Sequence, residues 1–186
     1  MSTVPKEDRS IEPSHAPNYA ELMIQGLKRA NVRIVASLPE SLLKKVYPML
    51  QMDKDIRYIQ VSSELDLPGI VAGAYFGGTR AVIIMENSGL RQAAEPIARL
   101  TFGHRIPMAM IMPHRGDLGE DVWWGHGHSE TMVPMLEALR IRHWNVYRLE
   151  EIVPSIERAL LHADAGQVAV ALIFGGECRE APHAAT

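Results

Sequence analysis

Short apolar, β-branched runs alternate along the chain with longer segments whose apolar residues recur at helical spacing. Tyr19–Ala30 sets Ala20, Met23, Ile24 and Leu27 on one face and predicts a helix. Val32–Leu38 (VRIVASL) reads as a buried strand, and Pro39 opens a helix carrying Leu42, Leu43, Val46 and Leu50. A strand at Ile56–Val61 leads into a Gly/Ala-rich helix, Leu65 to Phe76, which Gly77-Gly78 ends. A strand at Ala81–Glu86, a helix at Leu90–Phe102 and a strand at Pro107–Pro113 follow. A long connection, Pro113 to Glu130, then breaks the rhythm. Beyond it the pattern predicts a helix at Thr131–Leu139, a strand at Asn145–Leu149, a helix at Glu150–His162 and a strand at Val168–Phe174.

Strands alternating with helices predict an α/β fold: a six-stranded, mostly parallel sheet with helices on both faces. No internal repeat or second domain is visible. Residues 18–176 form the expected domain, flanked by a flexible N-terminal tail (1–17, with Pro5, Pro13 and Pro17) and a C-terminal tail (177–186). In such sheets ligands sit beyond the carboxyl ends of the strands. The segments to inspect are therefore Ser37–Glu40, Ser62–Glu64, Glu86–Gly89, His114–Glu130 and Gly175–Glu177.

Composition narrows the classes. The chain is 47% hydrophobic and 22% charged, ordinary for a globular domain of 186 residues. A net charge of −3 gives no electrostatic reason to expect nucleic acid or an anionic membrane as partner. The lone Cys178 excludes an internal disulfide and fits a reducing compartment. No apolar run approaches the roughly 18 residues of a membrane span, so a cytoplasmic protein is expected. Neither G-x-G-x-x-G after the first strand, nor a P-loop, nor G-x-S-x-G is present. Ser88, after the third strand, is a helix N-cap or, with a neighbouring base, a nucleophile. His126 and His128, if extended, project together and read either as a metal pair lacking a third ligand or as a solvated loop pair.

Glu64 stands where a strand hands over to a helix. With Ser63 as cap, it complements the helix dipole. The flanking strand and the small-residue helix (Gly69, Val71, Ala72, Gly73, Ala74) also place this carboxylate partly out of water.

Ser63-Glu64-Leu65-Asp66 followed by Ala72-Gly73-Ala74-Tyr75 resembles the strand-then-glutamate motif of thiamine-diphosphate enzymes, in their pyrimidine-binding domain. Met85-Glu86-Asn87-Ser88-Gly89-Leu90, Arg99-Leu100-Thr101 and Arg105-Ile106-Pro107-Met108 sharpen this, resembling the decarboxylases of sulfopyruvate and phosphonopyruvate. The similarity spans Tyr19 to Phe174. It implies the pyrimidine-binding type of thiamine-diphosphate fold, and it makes Glu64 the proton partner of N1′ of the aminopyrimidine. Asn87, Ser88 and Gly89 are implied as cofactor-binding. His126 or His128 stands near the place of the family's catalytic histidine pair, although that pair is adjacent and this one is split by Gly127. His114-Arg115-Gly116 resembles a stretch of the same enzymes and implies substrate binding, with Arg115 on an anionic tail. The family's Gly-Asp-Gly motif for diphosphate and Mg²⁺ is missing, since Gly116-Asp117 runs on to Leu118-Gly119. The resemblance therefore implies an alpha subunit whose beta-subunit partner holds Mg²⁺, in a hetero-oligomer that decarboxylates a small 2-oxo acid to CO₂ and an aldehyde. A carboligase subunit, a non-catalytic flavodoxin-like binding module and a Ser88 hydrolase are the alternatives.

Overall fold

Ala81–Ile84, Met108–Pro113 and Ala169–Phe174 are buried at every position, as strands covered on both faces must be. In a computed structural model describing residues 16–181 they are β3, β4 and β6. With β1 (Ile34–Ser37), β2 (Arg57–Gln60) and β5 (Arg142–Val146) they form a six-stranded sheet of order β2-β1-β3-β4-β6-β5. Every neighbouring pair is parallel, with β1 registering Ser37 against Gln60 on one side and Ile84 on the other. The chain thus leaves β1 in opposite directions across the sheet, which opens a crevice beyond the carboxyl ends of β1 and β3.

Six helices cover the two faces: α1 (Tyr19–Arg29), α2 (Val46–Met52), α3 (Leu67–Phe76), α4 (Leu90–Ala98), α5 (Trp123–Ala138) and α6 (Leu149–Gly166). Alternate strand residues split the core accordingly. Val35, Val82, Ile84, Ile111 and Leu172 face α1, α2 and α6, while Ala36, Ile83, Met110 and Ile173 face α3, α4 and α5. No helix among the described residues is long and apolar enough to cross a membrane.

Several elements depart from the sequence expectation. The fifth strand lies at Arg142–Val146, not Asn145–Leu149, because it is an edge strand that needs little apolar content; of its five residues only Val146 is fully buried. The helix expected from Pro39 is a short turn, Ser41–Leu43, followed by α2. Helix α5 begins eight residues before Thr131, at Trp123, and absorbs the His-Gly-His segment. The chain also stays packed past 176. Cys178 and Arg179 are buried, and the Glu180 N–H bonds to the Leu42 carbonyl. Of the N-terminal tail expected over 1–17, residues 1–15 lie outside the described residues. Asn18 then caps α1 in a reciprocal box with Glu21.

Candidate active site

Leaving β2, the chain is turned by Ser63, whose Oγ accepts the Leu65 N–H at 3.3 Å. One tight turn, Glu64–Asp66, precedes α3, and Pro68 occupies that helix's first turn, where its missing N–H costs nothing. This entry directs Glu64 inward, leaving it 8% exposed. The carboxylate lies against Gly89: a Cβ there would stand 2.5 Å from Glu64 Cγ and 2.8 Å from Oε1. Among the described residues no hydrogen-bond donor or cation meets its oxygens.

The same turn carries Glu86, from which a charged cluster spreads. Its Oε1 accepts the Ser88 hydroxyl at 2.7 Å and lies 3.2 Å from His128 Nδ1, while Oε2 is 3.6 Å from Arg115 Nε. Arg115 is 4% exposed. Its guanidinium donates to Glu120 at 3.3 Å and to Ser41 Oγ at 2.8 Å, and lies 5.0 Å over the Trp124 ring. Burial pushes the Glu120 carboxyl up, but the Gly116 N–H and the Arg115 charge outweigh it and hold the group below its ordinary value. Glu40 goes the other way. Burial raises it to about 7, against the opposing Leu42 and Leu43 N–H groups that it caps.

Two close approaches lock this cluster. A Cβ on Gly116, whose φ is +89°, would stand 2.2 Å from the Gly125 carbonyl oxygen, and one on Gly125 would stand 2.8 Å from Glu120 Cγ. Glycine at both positions lets the loop after β4 lie directly on the first turn of α5.

The residues singled out from sequence are not all brought together. His128 faces Glu86 and stacks at 5.2 Å on Trp124, whereas His126 is exposed. Within a helix, residues two apart point roughly 200° from one another, so the two do not project together and cannot share a metal. Ser88 caps no helix; its hydroxyl is spent on Glu86. The Asn87 side chain is committed to the Arg115 backbone, donating to its carbonyl at 2.9 Å and accepting its N–H at 3.1 Å. Gly89 serves to leave room for Glu64. His114 Nε2 lies 2.8 Å from Ser129 Oγ, and burial lowers the pKa of the imidazole. Arg115 is no surface arginine but the centre of the cluster. Sequence reasoning did not single out Glu120 or Glu40, although both fall in the segments marked for inspection; the glycines at 116 and 125 were the available signal.

No family model matches the chain. The sulfopyruvate decarboxylase subunit alpha of Methanococcus maripaludis is 37% identical over 142 residues, covering 76% of this chain and 85% of that one. Its counterpart in Methanocaldococcus jannaschii is 38% identical over 148 residues, 80% of this chain and 88% of that one. The chain belongs to the sulfopyruvate decarboxylase alpha-subunit family. The family resemblance drawn from the motifs is met, and with it the expectation of a decarboxylase subunit that works with a partner. Phosphonopyruvate decarboxylase of Streptomyces hygroscopicus is also similar to this alpha subunit, 34% identical over 98 residues, 53% of this chain and 24% of that enzyme. Among solved structures, the 2-oxoglutarate:ferredoxin oxidoreductase of Magnetococcus marinus shares the fold. The TM-score is 0.64 at 16% identity, over 91% of this chain and 31% of that one.

Proposed function

We propose that this alpha subunit decarboxylates an anionic 2-oxo acid of the sulfopyruvate or phosphonopyruvate type. It does so with thiamine diphosphate bound between it and a beta subunit. The carrying observation is Glu64: a largely buried carboxylate, held by a capped turn, fitted against a glycine and met by no donor among the described residues. Such a group is costly unless a donor completes it. The protonated ring nitrogen of an aminopyrimidine is a donor of that kind, and the missing Cβ at Gly89 keeps Glu64 free to meet it. When bound, thiamine diphosphate supplies the electron sink for the charge left by departing CO₂.

The other residues divide the remaining work. Glu64 shares a proton with N1′ of the pyrimidine. Arg115 presents a fixed cation to the substrate's anionic end; its Nε is buried without a hydrogen-bond partner. Its charge is partly balanced by Glu120 and Glu86, so the site does not trap the anion outright. His128, beside Glu86, holds the proton that the product needs. The diphosphate and Mg²⁺ fall to the partner, since this sequence lacks Gly-Asp-Gly. Exposed Leu118 and Trp123, in the segment that carries the cluster, suit a surface that a partner covers.

The test uses the complex with the beta subunit. Calorimetry reads thiamine diphosphate binding in the presence of Mg²⁺, and product analysis reads aldehyde release from sulfopyruvate and phosphonopyruvate; a hydroxyketone would instead mark a carboligase. Glu64→Gln is expected to assemble and melt normally while turnover falls about 10²–10⁴-fold. Near-normal turnover of that variant overturns the reading.

A further inference from the structure

A second group of polar side chains gathers where β4, β5 and β6 end. His114 follows β4, Asp117 stands three residues on, Tyr147 follows β5, and Arg179 lies beyond the turn after β6. Asp117 sits between two nitrogen-bearing neighbours: its Oδ1 is 3.7 Å from His114 Nδ1 and its Oδ2 3.6 Å from an Arg179 terminal nitrogen. Arg179 is 6% exposed, although it stands in a segment whose sequence reads as a solvated tail. An arginine keeps its charge in proteins, and burying it is costly without a facing anion. Asp117 is that anion. Arg179 Nε and His114 Nδ1 are both buried without a hydrogen-bond partner, and the Asp117 carboxylate is the anion standing between the two side chains.

Asp117 is itself held in place. Its Oδ1 accepts the Leu118 N–H at 2.9 Å. A Cβ on Gly175 would stand 2.6 Å from Asp117 Oδ2 and 2.4 Å from Tyr147 Cε1, so a glycine at the end of β6 is what lets the carboxylate seat there. On its other edge the imidazole meets α5, through Ser129 Oγ at 2.8 Å from Nε2.

We infer that Asp117 and Arg179 are positioning residues for His114. Arg179 anchors the carboxylate, the carboxylate draws the imidazole's Nδ1–H toward itself, and Nε2 is left as the ring's acceptor, on the Ser129 hydroxyl. The inference rests on the substrate-binding role that the family resemblance implies for His114. The charged groups facing His114 are Asp117 and Glu120 from its own loop and Arg179 from the segment after β6; α5 presents the uncharged Ser129, and Tyr147 packs behind Asp117. Burial lowers the imidazole pKa most; Asp117 and Glu120 act to raise it and Arg179 to lower it.

A role confined to packing would leave the His114 tautomer where it is, whereas loss of Asp117, or of the arginine that holds it, should free it. Two-bond ¹H–¹⁵N spectra of the full chain labelled with ¹⁵N-histidine, assigned with His114→Gln, read tautomer and titration without any assay of turnover. The wild type is expected to show the Nδ1–H tautomer and a midpoint below the ordinary histidine value. Asp117→Asn lowers the midpoint and abolishes the tautomer preference, and Arg179→Gln, by releasing the carboxylate, weakens that preference as well. Arg179→Lys restores the wild-type behaviour, and Gly175→Ala, which displaces the carboxylate, shifts His114 as Asp117→Asn does. A tautomer preference that survives Asp117→Asn or Arg179→Gln in variants that melt cooperatively overturns the inference. In the complex, the kcat–pH profile is expected to follow the same order of variants. If the spectra shift as stated and the profile does not, the positioning stands and the placing of His114 in the active site fails.

Discussion

Gly89→Ala isolates the contact between the turn after β3 and Glu64. The backbone at Gly89 is helical (φ −64°, ψ −22°), so alanine fits it without strain. With helical dihedrals already in place, the comparison for a helix interior applies, where alanine is better than glycine by about 1 kcal/mol, so the backbone at this position should lose no stability. The three nearest atoms to the new methyl group all belong to Glu64: Cγ at 2.5 Å, Oε1 at 2.8 Å and Cδ at 3.0 Å. Carbon atoms in contact settle near 3.5–4.0 Å, so the Glu64 side chain must retreat by roughly 1 Å. A displacement of that size at a reacting group costs about 100-fold in rate, equivalent to about 2.7 kcal/mol of transition-state stabilisation. The assay pairs thermal melting of the variant with its turnover and thiamine diphosphate affinity in the reconstituted complex. Unchanged melting with turnover down about 100-fold is the expected outcome. Turnover within about threefold of wild type would refute the argument that Gly89 keeps the place of a working Glu64.

The remaining predictions concern the charged cluster. His126→Ala is expected to leave kcat within about twofold, while His128→Ala lowers it by roughly 100-fold, because only His128 faces Glu86; steady-state kinetics separates them. Glu120→Gln strips Arg115 of a buried carboxylate and should cost about 3–5 kcal/mol, seen as a melting temperature roughly 10 °C lower. Because the Glu120 pKa is depressed, that contribution is present above its unfolded value of 4.5 and disappears as the pH falls through the folded one, so wild type and variant converge in acid. Glu40, raised to about 7, has the opposite sign: between pH 4.5 and 7 the folded state binds the extra proton, so stability from this group falls as pH rises. Denaturant titrations should find Glu40→Gln more favourable relative to wild type at pH 8 than at pH 4.5.

The sheet was legible because its central strands are continuous apolar runs, and the turn at Ser63 because a capping serine before an acid is a local signal. Glu64 could be found for the same reason: its position depends on residues beside it in the chain. What escaped the sequence depends on distant backbone. Arg142–Val146 pairs only with β6, so its polar residues gave no strand pattern. Gly125 and Gly127 weaken helix propensity, yet α5 begins before them, since packing of Gly125 against Glu120 and Gly116 outweighs a penalty of about 1 kcal/mol per glycine. That one helix start decides which histidine faces Glu86. Arg179 was hidden similarly: nothing near it in the chain says that Asp117, sixty-two positions earlier, lies beside it.

The division of the core by the sheet has a practical consequence. Glu64, the Asn87–Gly89 turn and His128 all enter from the layer of α3, α4 and α5, while α1 and α6 pack on the opposite face and α2 meets the cluster through Tyr47, at Glu40. An engineer seeking a hardier enzyme therefore has a silent side to work on. Stabilising substitutions placed between α1 and α6 add to the endurance of the whole domain without passing through the groups that do the chemistry. The same changes made under α4 would reach Glu64 at Gly89, whose missing side chain gives that carboxylate its room.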